Sequence, residues 1–139
     1  MPHRLYRQVA LRASHYCEYC SAPEEISPDR FHVEHILPRS LGGSDAMSNL
    51  ALSCSLCNQR KSHVTMAVDP GGQDLTIVRL FNPRVDLWAA HFGAYLFDDR
   101  IEIRGRTRIG RATVSQLNMN DPHAVRARLL WALMNLFPP

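Results

Sequence analysis

Apolar residues recur at helical spacing near the N-terminus. Leu5, Val9 and Ala13 fall on one side, with Arg4, Arg7 and Arg12 on other faces, which predicts an amphipathic helix over residues 3–15. The period then changes. From Phe31 to Ile36 the chain alternates, His32, Glu34 and Ile36 against Val33 and His35, which predicts a strand ended by Pro38. Residues 39–48 are polar, and Gly42-Gly43 permits a sharp reversal. Leu50 to Ser53 reads as a second short strand antiparallel to the first, Cys54 to Cys57 reads as a turn, and a helix runs on from there to about Val64.

The second half is patterned less regularly. Asp69-Pro-Gly-Gly marks a turn, Leu75 to Phe81 alternates as a strand, and Asn82-Pro83 stops it. Val85 to Phe92 predicts a short helix carrying Trp88, and Tyr95 to Phe97, Asp98-Asp99 and Ile101 to Arg104 predict a hairpin. A short helix is expected over residues 110–118. Asp121-Pro122 is an N-cap followed by proline at the first helical position. From there Val125, Leu129, Leu133 and Leu136 or Phe137 form one apolar stripe to the C-terminus. Trp88, Trp131 and Phe137 read as core residues. The expected class is α+β: a hairpin packed on a helix, preceded by an N-terminal helix and followed by a hairpin and helices.

Length and composition narrow the picture. A chain of 139 residues with 45% hydrophobic content is most simply one domain, 1–139, with a modest core. No linker demands a second. No apolar run approaches the ~18 residues that a membrane span needs, and the Arg-containing N-terminus has no signal-peptide h-region. A cytoplasmic location is the default expectation. Net charge is only +3, but of the 16 basic residues Lys61 alone is lysine. A guanidinium grips phosphate bidentately where an ammonium cannot. High genomic GC content would also favour arginine, yet it does not explain why Arg100, Arg104, Arg106, Arg108 and Arg111 crowd one segment.

The four cysteines fall as Cys17-x-x-Cys20 and Cys54-x-x-Cys57. In a reducing compartment this argues against disulfides and for a structural Zn²⁺ held by four thiolates. The pairs bracket the strand-loop-strand unit, so one ion clamps both its ends. Closing a loop of that length costs several kcal/mol of chain entropy, against which a structural zinc contributes ~10 kcal/mol or more. A closed tetrathiolate leaves no open position for chemistry. Four free buried thiols, or redox pairs, are the plainer alternatives.

The run FHVEHILPRSLGGSDAMSNLALSCSLCNQRKSH, from Phe31 to His63, together with the upstream cysteine pair, resembles the HNH endonuclease family, specifically small bacterial or phage members with a four-Cys zinc site. The likeness covers about a third of the chain, from Cys17 to about His63. It implies a ββα-metal core at about 16–64 followed by an extension at about 75–139. It implies a metal-dependent endonuclease that hydrolyses DNA phosphodiester bonds. His35 would be the general base, Glu34 and Asn58 the ligands of one catalytic Mg²⁺ or Mn²⁺, and Asn49 a structural residue tying the loop between the strands and orienting His35. Lys61, with neighbouring Arg60, would contact phosphate. These roles suit the residue types, since imidazole titrates near neutral pH and hard oxygen donors suit Mg²⁺.

Two departures from the family pattern are visible. Its acidic position most often holds Asp, and here it is Glu34. A further ligand is open between His32, on the strand face of Glu34, and His63. On a continued helix Ser62 lies only about 40° round the axis from Asn58 and His63 about 140°, so His63 faces the ion only if the helix has ended. In the extension, Arg104, Arg106 and Arg108 alternate and would share one strand face, either as a phosphate-contacting ribbon or as a solvated face. The partner implied is DNA, with no membrane, the protein acting as a monomer or homodimer. The alternative function is a non-catalytic zinc module that docks DNA or a protein.

Overall fold

In a computed structural model of the chain, which describes residues 3–139, small hairpins and helices alternate in an α+β arrangement. Helix α1 spans Tyr6–Arg12. It is shorter than its apolar spacing suggests, because Ser14 and His15 take positive φ angles (53° and 58°) that no helix continues through. Its Val9 and Ala10 are fully buried, and Arg12 donates to the carbonyls of Met47 and Leu50. The helix is thereby fixed across the second strand of the first hairpin.

That hairpin is β1 (His32–His35) and β2 (Leu50–Ser53), antiparallel with Val33 opposite Leu52 and His35 opposite Leu50. All four residues of β2 are buried. The outer edge of β2 is not left open. Glu18 of the first cysteine turn donates its backbone N–H to the Leu52 carbonyl, and its carboxylate accepts from the Leu52 N–H. Helix α2 (Ser55–Lys61) follows at once, capped by the Cys54 sulfur accepting from the Cys57 N–H, and Ser62 ends it at φ 47°.

The loop between β1 and β2 is built on close approach. A Cβ on Gly43 would stand 1.7 Å from the Leu37 carbonyl oxygen, so only glycine fits there, and Gly42 sits at φ 91°. Asn49 closes the loop. Its amide oxygen accepts from the Leu37 N–H at 2.8 Å, and its amide nitrogen donates to the carbonyls of Leu37 and Ser44 at 3.0 and 2.9 Å.

Beyond α2 come β3 (Met66–Val68) and β4 (Ile77–Arg79), a second hairpin. The chain pattern conceals β3, because Met66 and Val68, its apolar residues on one face, are both largely exposed. Helix α3 (Trp88–His91) leads directly into the third hairpin, β5 (Phe92–Leu96) and β6 (Ile101–Gly105). Then come α4 (Arg108–Gln116) and α5 (Pro122–Leu133). The Asp121 carboxylate accepts from the N–H groups of His123 and Ala124, the cap that Asp-Pro predicts. The expected stripe on α5 is corrected: Val125 and Phe137 are buried, but Leu133 is 74% exposed and the buried residue one turn on from Val125 is Arg128.

One buried cluster draws on both halves of the chain. Val9, Tyr19, Phe31, Leu50 and Leu52 join Leu80, Phe81, Phe92, Ile103, Leu117 and Met119. Each such side chain contributes about 1.5–3 kcal/mol on leaving water. Phe81 stands edge-on to Phe92 with ring centres 5.0 Å apart. Polar ties cross the same seam: Trp88 Nε1 donates to the Tyr19 carbonyl at 2.8 Å, Arg84 pairs with Glu18, and Arg60 pairs with Asp121 at 2.9 Å. The C-terminal half therefore braces the first cysteine turn and α2.

Candidate functional site

Cys17 and Cys20 come from a tight turn in which the Ser21 N–H reaches back to the Cys17 carbonyl. Cys54 and Cys57 come from the cap and first turn of α2. The four sulfurs lie within 4.8 Å of one another, and Cys20 and Cys54 are 3.7 Å apart. Four thiolates at about 2.3 Å from zinc place their sulfurs about 3.8 Å apart. The donors present thus fit a structural zinc, and 3.7 Å is far beyond a disulfide bond. Three of the cysteines are buried and Cys54 is half-buried.

The two strand residues of the expected catalytic pair point to opposite faces, as strand alternation requires. Glu34 turns inward. It is 4% exposed, its Oε1 lies 2.5 Å from Lys61 Nζ, and its Oε2 accepts from the Tyr19 hydroxyl at 2.6 Å. Burial pushes the Glu34 carboxyl above its ordinary value, and Lys61 and Tyr19 oppose that only in part. Burial, and then the charge of Glu34, hold the Tyr19 hydroxyl protonated well past its usual range. Both carboxylate oxygens are therefore engaged, so in this arrangement Glu34 has no oxygen turned to a divalent ion. Lys61 differs from expectation for the same reason. It is 2% exposed, donates also to the Ile36 carbonyl at 3.1 Å, and does not face a solvent-borne phosphate.

His35 turns the other way, toward the glycine loop. Its Nε2 lies 2.7 Å from Asp45 Oδ1. Arg39 grips the same carboxylate with Nη2 at 2.8 and 2.9 Å and places its Nε 3.3 Å from His35 Nε2. His3 Nε2 is 3.7 Å from Asp45 Oδ2, and its ring meets His35 edge-on at 5.9 Å. The hydrogen bond from His35, then Arg39 and the charge of His3, hold the Asp45 carboxyl down at about 2. Sequence reasoning missed Asp45, Arg39 and His3. The Ser-Asp after Gly-Gly was the one signal available, but a loop carboxylate names no partner by itself.

His3, His35 and Asp45 also lie close enough together to be weighed as a metal set. The donor chemistry argues otherwise. His3 Nδ1 accepts from the Leu5 N–H at 3.0 Å, so its proton sits on Nε2 and it offers that side an N–H instead of a lone pair.

The remaining expected residues are dispersed. Asn58, on α2, is half-buried, and its side-chain amide has no hydrogen-bond partner among the described residues. His32 is exposed, with Nε2 3.2 Å from the Ser55 hydroxyl. The helix does end before His63, but His63 sits 3.2 Å from the Ser40 hydroxyl. Arg60 turns back to the carbonyls of Leu117 and Asn118 and to Asp121, and so serves the fold instead of facing DNA. Arg104, Arg106 and Arg108 are exposed but do not share one strand face, because β6 ends at Gly105 and Arg108 opens α4. Arg104 lies over the Tyr95 and Phe97 rings at 5.1 and 5.2 Å.

Among the described residues, no helix is long and apolar enough to cross a membrane. The family model described as HNH endonuclease matches residues 17–63. A search of curated proteins and one of solved structures found no match.

Proposed function

We propose, from the match of residues 17–63 to the HNH endonuclease family model, that this protein hydrolyses phosphodiester bonds of DNA with His35 as general base. One observation carries the reading. The imidazole that the motif supplies is seated at the end of β1 with 16% of its side chain exposed and a carboxylate 2.7 Å from one ring nitrogen. The other nitrogen is left to take a proton from water. The hydroxide so formed attacks phosphorus, the bond from phosphorus to one sugar oxygen breaks, that oxygen takes a proton from solvent water to leave as the hydroxyl, and His35 gives its own proton back to solvent.

The other parts of the site support the same chemistry. The zinc clamp and the Asn49 ties hold β1 and the glycine loop in register, so the base is fixed before substrate arrives. Arg39, 63% exposed and 3.3 Å from His35 Nε2, is the cation beside the base that faces solvent. It takes the phosphate-contacting role first expected of Lys61. Arg104, Arg106 and Arg108, all exposed, would extend backbone contact along the duplex.

In HNH proteins a divalent ion supplies Lewis-acid stabilisation at the scissile phosphate. Asn58, half-buried and without a side-chain hydrogen bond among the described residues, would offer its amide oxygen to such an ion. Glu34, held by Lys61 and Tyr19, does not fit a ligand role in this arrangement. That same engagement favours the second reading, a zinc-stabilised module that binds DNA without cutting it.

Supercoiled plasmid separates the two. Nicking by the wild-type protein in Mg²⁺ or Mn²⁺, lost in His35→Ala, is the expected result. Equal nicking by both proteins, or binding without nicking by the wild type, would reject the endonuclease reading.

A further inference from the structure

Asp45 lies in the loop between the two strands, ten residues after His35 in sequence. Its carboxylate touches three cationic or ring donors: His35 Nε2 at 2.7 Å, Arg39 Nη2 at 2.8 and 2.9 Å, and His3 Nε2 at 3.7 Å. Two of these groups compete for one nitrogen. His35 Nε2 can donate to Asp45 or accept from Arg39 Nε at 3.3 Å, but it cannot do both in the neutral ring. The shorter hydrogen bond, to a charged acceptor, wins. The proton of neutral His35 is then on Nε2, and the lone pair is on Nδ1.

We propose that Asp45 is a positioning residue for His35, fixing the Nε2–H tautomer so that Nδ1 is the nitrogen that accepts the proton of water. This rests on His35 being the base and adds which of its atoms acts and what selects it. The arrangement around Asp45 suits the task. Arg39 grips the carboxylate with its guanidinium, which restrains the carboxylate beside His35. His3, whose Nδ1 is occupied by the Leu5 N–H, directs an N–H toward Oδ2, so the second oxygen also meets positive character. Once Nδ1 has taken a proton, the imidazolium faces a carboxylate that is ionised throughout the range in which imidazoles titrate. The pairing therefore favours the base before transfer by tautomer and after transfer by charge. Gly43 and Asn49 bear on it directly, because their loop geometry brings residue 45 back to the end of β1.

The test uses zinc-loaded, full-length, ¹⁵N-labelled protein. Long-range ¹H–¹⁵N spectra distinguish a protonated from an unprotonated ring nitrogen in each neutral histidine. Wild-type His35 is expected to be in the Nε2–H form. Asp45→Asn keeps the size of the side chain, but it can turn its amide N–H toward His35. It is expected to move His35 to the Nδ1–H form and to lower the nicking rate on the order of 10²-fold, with DNA affinity within about twofold of wild type. Asp45→Glu, which restores an acceptor, should recover the Nε2–H form and part of the rate. A wild-type His35 in the Nδ1–H form overturns the proposal, as does an unchanged tautomer in Asp45→Asn. So does selective broadening of His3 and His35 by Mn²⁺, which would make Asp45 a metal ligand. The tautomer does not depend on activity. If it shifts while neither protein nicks DNA, Asp45 positions His35 and the endonuclease reading is what fails. If His35→Ala abolishes nicking while Asp45→Asn keeps both rate and tautomer, the base stands and Asp45 has no part in it.

Discussion

Lys61 Nζ lies 2.5 Å from Glu34 Oε1, and both side chains are closed off from solvent. This ion pair joins α2 to β1 from inside the fold, where a charge left alone has no water to turn to. Removing one partner of such a pair typically costs about 3–5 kcal/mol, whereas replacing both with apolar groups of similar size is often neutral. Lys61→Met should therefore lower stability by about that amount, and the double variant Glu34→Gln, Lys61→Met, which leaves no buried charge and keeps an acceptor for the Tyr19 hydroxyl, should regain part of it. Urea unfolding with equal m-values checks both. A Lys61→Met protein as stable as wild type would mean that the pair does not hold α2 to β1.

The four-cysteine cluster stands at the other junction of the same unit, and its donors fit zinc. One zinc per chain is expected in protein purified without added metal, measured by elemental analysis. Cys54→Ser should both lose the ion and weaken the α2 cap, since the Cys54 sulfur accepts from the Cys57 N–H. Well-folded protein with almost no zinc would exclude the tetrathiolate site.

His35→Ala should behave differently from the cysteine variant. A tetrathiolate zinc site would maintain the fold, whereas His35 is only partly buried. Zinc content and melting temperature should stay near wild type while nicking falls by ~10²- to 10⁴-fold, the usual loss for a general base.

Gly43→Ala tests the loop. Its Cβ would stand 1.7 Å from the Leu37 carbonyl oxygen and 2.9 Å from Asn49 Nδ2, so the Asn49 ties have to give way. Destabilisation of about 1–3 kcal/mol is expected, with nicking reduced beyond what the stability change explains. Thermal unfolding beside a single-turnover assay separates the two effects.

Salt dependence reports on the arginine segment. Replacing Arg104, Arg106 and Arg108 together should flatten the slope of log affinity against log salt, by about one unit for each guanidinium that pairs with a phosphate. An unchanged slope would leave them as a solvated surface, and Arg104 as a guanidinium resting on Tyr95 and Phe97.

What could be read from the chain alone is what depends on neighbours in sequence. The Cys-x-x-Cys pairs, the β1–β2 alternation, the Gly-Gly reversal, the hairpin around Asp98-Asp99 and the Asp121-Pro122 cap are each specified within a few residues. Their periods and turn chemistry therefore predict them directly. Where a side chain places its charge is not local in this way. Lys61 looks free in sequence and is closed into Glu34 across 27 residues. Arg60 is committed to Asp121, 61 residues on, and Arg128 is buried against the carbonyls of Ile101 and Met119. Asp45 is brought to His35 only when the loop closes. Strand β3 is another such case, because Met66 and Val68 face outward and its strand partner is β4. Spacing along the chain determines which elements form and which residue types they carry. Folding then decides which donors find which acceptors, because a buried charge takes the partner that the fold brings within reach.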